Sequence, residues 1–165
     1  MRPTKISQVR RQRQSGHVIV EMGLCMTVLF LMIFAITEYS RIAYANNFTA
    51  FAAQQAARYA SIRGAASATP LSTNPSPCGT SCVNATSGDA TATFVQGLSV
   101  GLNTANLTVT TTWSCATGSS CANANTAGNT VSVKVNYGYN PFFTLVAPLP
   151  STFNMNSTAT MTVVQ

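Results

Sequence analysis

Charge is what this sequence has least of. Only 7% of its 165 residues are Asp, Glu, Lys or Arg, against a usual share of about 25%. It holds three acids, Glu21, Glu38 and Asp89, and a single histidine, His17. With so few groups able to move a proton, no Ser/His/Asp, Cys/His or metal-binding carboxylate set can be assembled. A glycine-rich phosphate loop is missing as well. The chain therefore reads as a non-enzyme, with no cofactor, no metal and no small-molecule substrate. Thr, Ser, Ala and Asn stand where the charges would be, the composition of an outer surface rather than of the cytosol. The net charge of +6 would suit a nucleic-acid partner, but Arg2, Lys5, Arg10, Arg11 and Arg13 all precede Gly16. The remainder of the chain keeps Arg41, Arg58, Arg63 and Lys134 against the three acids, a net charge of +1. The basic cluster is thus a topogenic leader, and no nucleic acid is expected.

What is present is one long apolar run, residues 16–37, GHVIVEMGLCMTVLFLMIFAIT. The twenty residues from 18 to 37 would cover about 30 Å as a helix, the thickness of a bilayer's hydrocarbon. The basic flank before it stays in the cytoplasm under the positive-inside bias, so the C-terminal part faces outward. Glu21 is the anomaly, because a carboxylate at the bilayer centre costs about 2.5 to 3.5 kcal/mol or more. Either it reaches the headgroups or carries a proton, or it pairs with a positive charge. Cys25, within the run, reads as a small buried hydrophobe.

A basic leader, a glycine, four mostly apolar residues, a glutamate and an apolar helix resemble the processing signature of type IV pilin-like proteins, here RRQRQSG/HVIVE. The continuation ITEYSRIAYANNFTAFAAQQAARYASIRG, with its ITEYSR and QQAARYA steps, resembles the TadE-like minor pseudopilins of the tight-adherence (Tad/Flp) pilus system. The tail, VSVKVNYGYNPFFTLVAPL and then STATMTVV, is also similar to the ends of such proteins, whereas residues 65–130 carry no such likeness. The resemblance implies a cut by prepilin peptidase between Gly16 and His17. It implies that Glu21 pairs with the α-amino group of a neighbouring subunit and sets the register of assembly. The implied partners are the bacterial inner membrane, prepilin peptidase, other pilins or pseudopilins and the pilus assembly platform. Two other readings stay open. In one the leader is a secretory signal, cut after the small-x-small trio Ala43, Tyr44, Ala45, releasing an adhesin-like binding domain; in the other the chain is an uncleaved single-span anchor.

Beyond the run, Ile42, Ala45, Thr49, Ala52, Ala56 and Tyr59 recur at three- and four-residue steps, with no proline or glycine before Gly64. The helix is expected to continue to Gly64, with Arg58 and Arg63 near the negative end of its dipole and the alanine stripe packed on a domain. Glu38 and Arg41, three apart, are expected to form an ion pair at the outer interface. Residues 65–88 read as loop. Residues 89–103 place Phe94, Leu98 and Leu102 four apart, a short amphipathic helix. LTVTTTW (107–113), VSVKVNY (131–137) and 155–164 alternate as strands, the first two as a hairpin. The pair Phe142 and Phe143 suits core or membrane-proximal packing, or a patch for a partner. Cys78, Cys82, Cys115 and Cys121, in an outward-facing domain, are disulfide candidates. Three pairings are possible, with nearest neighbours favoured, and a four-thiolate zinc site is the competing reading.

The fold class expected is α+β: a long N-terminal membrane-spanning pilin-like helix followed by a small outward-facing domain with a short helix and about three antiparallel strands. Its divisions are a basic cytoplasmic leader (1–16), the long helix, transmembrane in its first half (17–64), and an extracytoplasmic domain with disulfides (65–165).

Overall fold

The computed structural model describes residues 5–64, 67, 71, 81–85, 90–115, 124–142 and 151–164, and for 5–16 and 81–85 the backbone only. Helix α1 runs over Lys5–Ser61. Strand β1 (Ser81–Ala85), helix α2 (Ala90–Leu98), a 3-10 turn (Thr104–Asn106) and strands β2 (Leu107–Ser114), β3 (Thr130–Tyr139) and β4 (Phe153–Thr162) follow. The chain divides into two compact units, Met1–Arg41 and Ile42–Gln165, and α1 contributes to both.

The second unit is an antiparallel meander in the order β1-β2-β3-β4. The alternation of apolar and polar residues decides its register. Leu107, Val109, Thr111 and Trp113 of β2 and Val131, Val133, Val135, Tyr137 and Tyr139 of β3 are buried on one face. The residues between them, Thr108, Thr110 and Thr112 opposite Asn136, Lys134 and Ser132, form the other face. A slip of one residue would exchange the two sets, so the register is fixed by burial. Asn154, Asn156, Thr158, Thr160 and Thr162 continue that polar face on β4, with Thr160 Oγ1 donating to Ser132 Oγ at 3.3 Å.

The apolar face is covered by the last part of α1. Ala45, Phe48, Thr49, Ala52, Ala53, Ala56, Ala57 and Ala60 are all buried, spaced alternately by three and one, as a helix face requires. The alternating stripe expected at 45, 49, 52 and 56 is its centre; Ile42 and Tyr59 lie half-buried at its margins. Six alanines contribute only methyl groups to this core, and the bulk is supplied by the valines of β3 and by Trp113. The hydroxyl of Thr49, buried in this layer, donates to the Asn46 carbonyl at 2.8 Å. Regular helix ends at Ser61, three residues before the expected glycine stop, because the chain tightens into a shorter-range bond from Arg63 N to Ala60 O at 3.0 Å.

Helix α2 is shorter than the 89–103 reading. It ends at Leu98 and turns through Gly101, whose φ of 74° is costly for any residue with a Cβ. Leu102 therefore packs from a turn rather than from the helix. Thr91, Ala92 and Val95 are its buried residues, while Phe94 and Leu98 are half-buried at the edge of the core. Phe94 stacks on Tyr59 of α1 with ring centroids 4.3 Å apart, and the Arg63 guanidinium lies 4.2 Å over the same tyrosine ring. The three expected strands are present, and β1 adds a fourth at the edge, within a stretch read as loop. Its sequence, SCVNA, is too short and too polar to signal a strand alone, and its pairing with β2 from Ser81↔Ser114 to Ala85↔Thr110 supplies what the local pattern does not. Of the linker between β2 and β3, residues 115 and 124–129 are described. Gly128, with φ 90°, donates to the Val163 carbonyl at 3.0 Å, and Val163 N donates to Asn129 O at 2.8 Å, fastening the linker to the end of β4.

Two substitutions test this packing. Ala56→Leu, at a fully buried position, is expected to destabilise the domain by about 1 to 3 kcal/mol through overpacking, whereas Gln54→Leu on the exposed face should change stability by no more than about 0.5 kcal/mol; chemical denaturation in detergent micelles reads both. The Thr111 hydroxyl is buried without a hydrogen-bond partner among the described residues. Thr111→Val, which keeps the shape and removes the hydroxyl, should raise stability by about 1 kcal/mol in the same measurement.

Candidate membrane and assembly segment

The first unit presents the residues singled out in the sequence. Every residue from 17 to 37 is exposed, and among the described residues this is the one helix long and apolar enough to cross a membrane. An α-helix is the form such a run must take in lipid, since all its backbone donors and acceptors bond within the segment. The few side-chain hydroxyls obey the same rule. Thr27 Oγ1 donates to Gly23 O at 2.9 Å, Thr37 Oγ1 to Phe34 O at 2.8 Å, and Ser40 Oγ to Ile36 O at 2.8 Å. Each hydroxyl is satisfied by its own helix, so none asks for water. The apolar surface that remains, including Val28, Leu29, Phe30, Leu31, Met32 and Ile33, is about half exposed at each residue. A surface of this size is stable only against lipid or another apolar helix.

The backbone of α1 is continuous through Gly16 and His17. The leader read as a separate segment is thus helical from Lys5 onward, its basic and polar residues having good helix propensity and no proline to stop them. His17 and Glu21 fall on one face, one turn apart, with His17 Nδ1 3.9 Å from Glu21 Oε2 and both side chains largely exposed. Within the chain, Glu21 thus faces an imidazole that neutralises it only when protonated. Glu38 and Arg41 are 3.6 Å apart between Oε2 and Nη1, the glutamate 17% and the arginine 60% exposed. At that exposure the pair contributes well under about 1 kcal/mol.

The cysteines separate into two groups. Cys25 is free and exposed, not buried as its residue type suggests, because no other part of the described chain covers that face of the helix. Cys115 is half-buried beside the core and is not free. The backbone register sets Cys82 opposite Trp113, and Cys115 lies one residue beyond the end of β2. Cys78, Cys121, Phe143 and the side chain of Cys82 lie outside the described residues, and the pairing of the four cysteines with them. Among the described residues no group of three or more His, Cys, Asp or Glu side chains is arranged to hold a metal ion.

The role of Tyr44 lay beyond sequence reasoning. Its hydroxyl donates to the Val100 carbonyl at 2.8 Å, a contact across 56 residues that ties the start of the alanine stripe to the turn after α2. A tyrosine on a helix carries no sign of so distant a partner.

Comparison with known proteins agrees with this geometry. No curated protein and no solved structure matches the chain. The family model that does match covers residues 16–58, from the glycine at the expected cut to the alanine stripe. Those residues bear out the resemblance read from the motifs: over residues 16–58 the chain is similar to the TadE-like protein family.

Proposed function

We propose that the protein is a minor pilin or pseudopilin of a tight-adherence (Tad/Flp) pilus, acting in the assembly of a fibre used for surface adhesion and secretion. One observation carries the reading: the segment matching the TadE-like family coincides with an exposed apolar helix that holds one carboxylate near its start. In this account the basic leader stays in the cytoplasm, α1 crosses the inner membrane, and the second unit lies outside. Prepilin peptidase hydrolyses the Gly16–His17 bond and makes His17 the new amino terminus. The bond lies inside helical backbone, so the peptidase must unwind about a turn of α1 to reach it.

Cleavage changes the chemistry around Glu21. The new α-amino group of one subunit supplies the positive charge that the carboxylate of another needs in a low-dielectric bundle, where opposite charges within about 4 to 6 Å favour the ionised forms. Glu21 then works as an axial register contact, and the apolar helix as the packing surface. The four extracytoplasmic cysteines form disulfides in this oxidising compartment. No catalytic step is assigned to the chain. Release of the second unit by a cut after Ala45 is disfavoured, because it would sever α1 at the first buried alanine and remove the Tyr44 bond to Val100.

Mass spectrometry of the envelope-purified chain is expected to find His17 as the amino-terminal residue, and a Gly16→Ala variant to retain the leader. A start at Asn46 or at Met1 would replace this reading with a secreted or simply anchored domain. Glu21→Ala is expected to leave membrane insertion and cleavage intact while lowering co-purification with other pilus subunits, with Glu21→Gln behaving like Glu21→Ala if charge pairing is what matters.

A further inference from the structure

Strand β4 is 10 residues long, contains no charged residue, proline or glycine, and lies at the edge of the sheet. Such an edge invites another strand, and proteins that keep an edge single shorten it, bulge it or place charge on it. The register of β4 with β3 is unbroken from Thr130↔Thr162 to Tyr139↔Phe153, and its end shows which residues face outward. Val163 turns both backbone groups to the β3 side, its N donating to Asn129 O at 2.8 Å and its carbonyl accepting from Gly128 N at 3.0 Å. Val164 turns the other way, and its N donates to Ser61 O at 3.0 Å. Successive residues of a paired strand alternate in this manner. Asn154, Asn156, Thr158, Thr160 and Thr162 therefore hold their backbone N–H and C=O groups toward the open side. Among the described residues nothing bonds to those groups.

The same alternation carries across the sheet to its other edge. With Val131, Val133, Val135, Tyr137 and Tyr139 bonded to β4, the residues between them bond to β2, Ser132 opposite Thr112 and Lys134 opposite Thr110. Trp113 and Thr111 of β2 then bond to residues 82 and 84 of β1, which leaves the backbone groups of Ser81, Val83 and Ala85 turned away from the sheet. At both edges the outward groups thus belong to residues in register with the polar face. The two edges also run in opposite directions, because the sheet is a meander of four antiparallel strands. A second copy standing beside the first in the same orientation therefore presents its β1 antiparallel to β4. The outward residues 81, 83 and 85 fit within the longer outward set of β4, each pair exchanging two backbone hydrogen bonds, with polar face beside polar face. Neither strand carries a charge, so no like charges meet. On the other face Phe153, Met155, Ala159 and Met161 are only half-buried at the margin of the core, and an added strand covers their open side.

We propose that the open edge of β4 is a docking site for β1 of a second copy of this chain, joined by strand addition. A two-fold contact of β4 on β4 closes at two copies and leaves both β1 edges open. The β4–β1 contact is heterologous, occupies both edges and repeats along a row of copies. The choice between the two rests on the assembly reading above, since an assembly that grows needs a contact that does not close on itself. The contact itself concerns the second unit alone and requires nothing of the first.

The test uses the full chain in detergent micelles, with the photo-crosslinker p-benzoylphenylalanine in place of Asn156, which is exposed, and isotopically light and heavy protein mixed in equal amounts. Mass spectrometry after illumination is expected to find residue 156 of one chain joined to residues 81–85 of another, the mixed light–heavy product marking a bond between chains. Thr158→Pro in the same chain is expected to abolish that product with the circular dichroism unchanged, because the N–H it removes points outward and the β3–β4 ladder survives. Ala159→Pro, which removes a ladder bond, should instead unfold the domain. If Ala159→Pro folded and Thr158→Pro did not, the assignment of the outward residues would fall and the proposal with it. A product joining 156 to residues 153–162 of the other chain would overturn it in favour of the two-fold contact. Absence of any mixed product, or its survival in a folded Thr158→Pro chain, would overturn it outright. The cut at Gly16 is read separately from the amino-terminal residue, so the assembly reading stands or fails independently of this result.

Discussion

The burial of an alanine-lined helix face and a valine-lined sheet face in one core is the constraint on which the second unit depends. Small side chains on α1 leave most of the bulk of this core to Val131, Val133, Val135 and Trp113. Interiors are packed to crystal-like density, so fully buried positions such as Ala56 and Val133 have no slack for a larger residue or for a shift of register. The remaining elements are arranged around it. Helix α2 closes one margin through Phe94 on Tyr59, and the linker before β3 closes another by its bonds to β4. The 3-10 turn delivers the chain into β2 with Asn103 capping Ala105 N at 3.0 Å.

The same helix meets two solvents, and its sequence changes accordingly. Large residues, Leu, Met, Phe and Ile, fill residues 24–36, where the partner is lipid or another helix and bulk is wanted on every side. From Ala45 onward the large residues give way to alanine on one face only, with Gln54 and Arg58 exposed on the other. A helix apolar all round belongs in a membrane or a core, and a helix with a stripe belongs on a domain surface. One uninterrupted element therefore does both jobs, and the family likeness over residues 16–58 spans the transition between them.

The sheet's outward face is as informative as its buried one. Thr, Ser and Asn occupy nearly every outward position from Thr108 to Thr162, with Lys134 as the lone charge. Such a face is soluble through hydroxyls and amides rather than through charge. It also keeps the long-range electrostatics of that face weak.

Much of this was legible because it rests on local pattern. The span is a matter of length and hydropathy, the strands of two-residue alternation, and the alanine face of helical period; Val131, Val133 and Val135 fell where the alternation put them. The segment Gly16 to Glu21 and the steps after it were enough to identify the family likeness. What was not legible depended on partners distant in the chain. SCVNA becomes β1 only because β2 offers it an edge, Leu102 leaves the helix because Gly101 turns it, and Tyr44 finds Val100 across the fold. Sequence alone determined which faces are apolar and how they repeat, since those depend on residue type and spacing. Only the tertiary structure decided which face meets which, because that is settled by hydrogen bonds and packing between residues no local pattern connects.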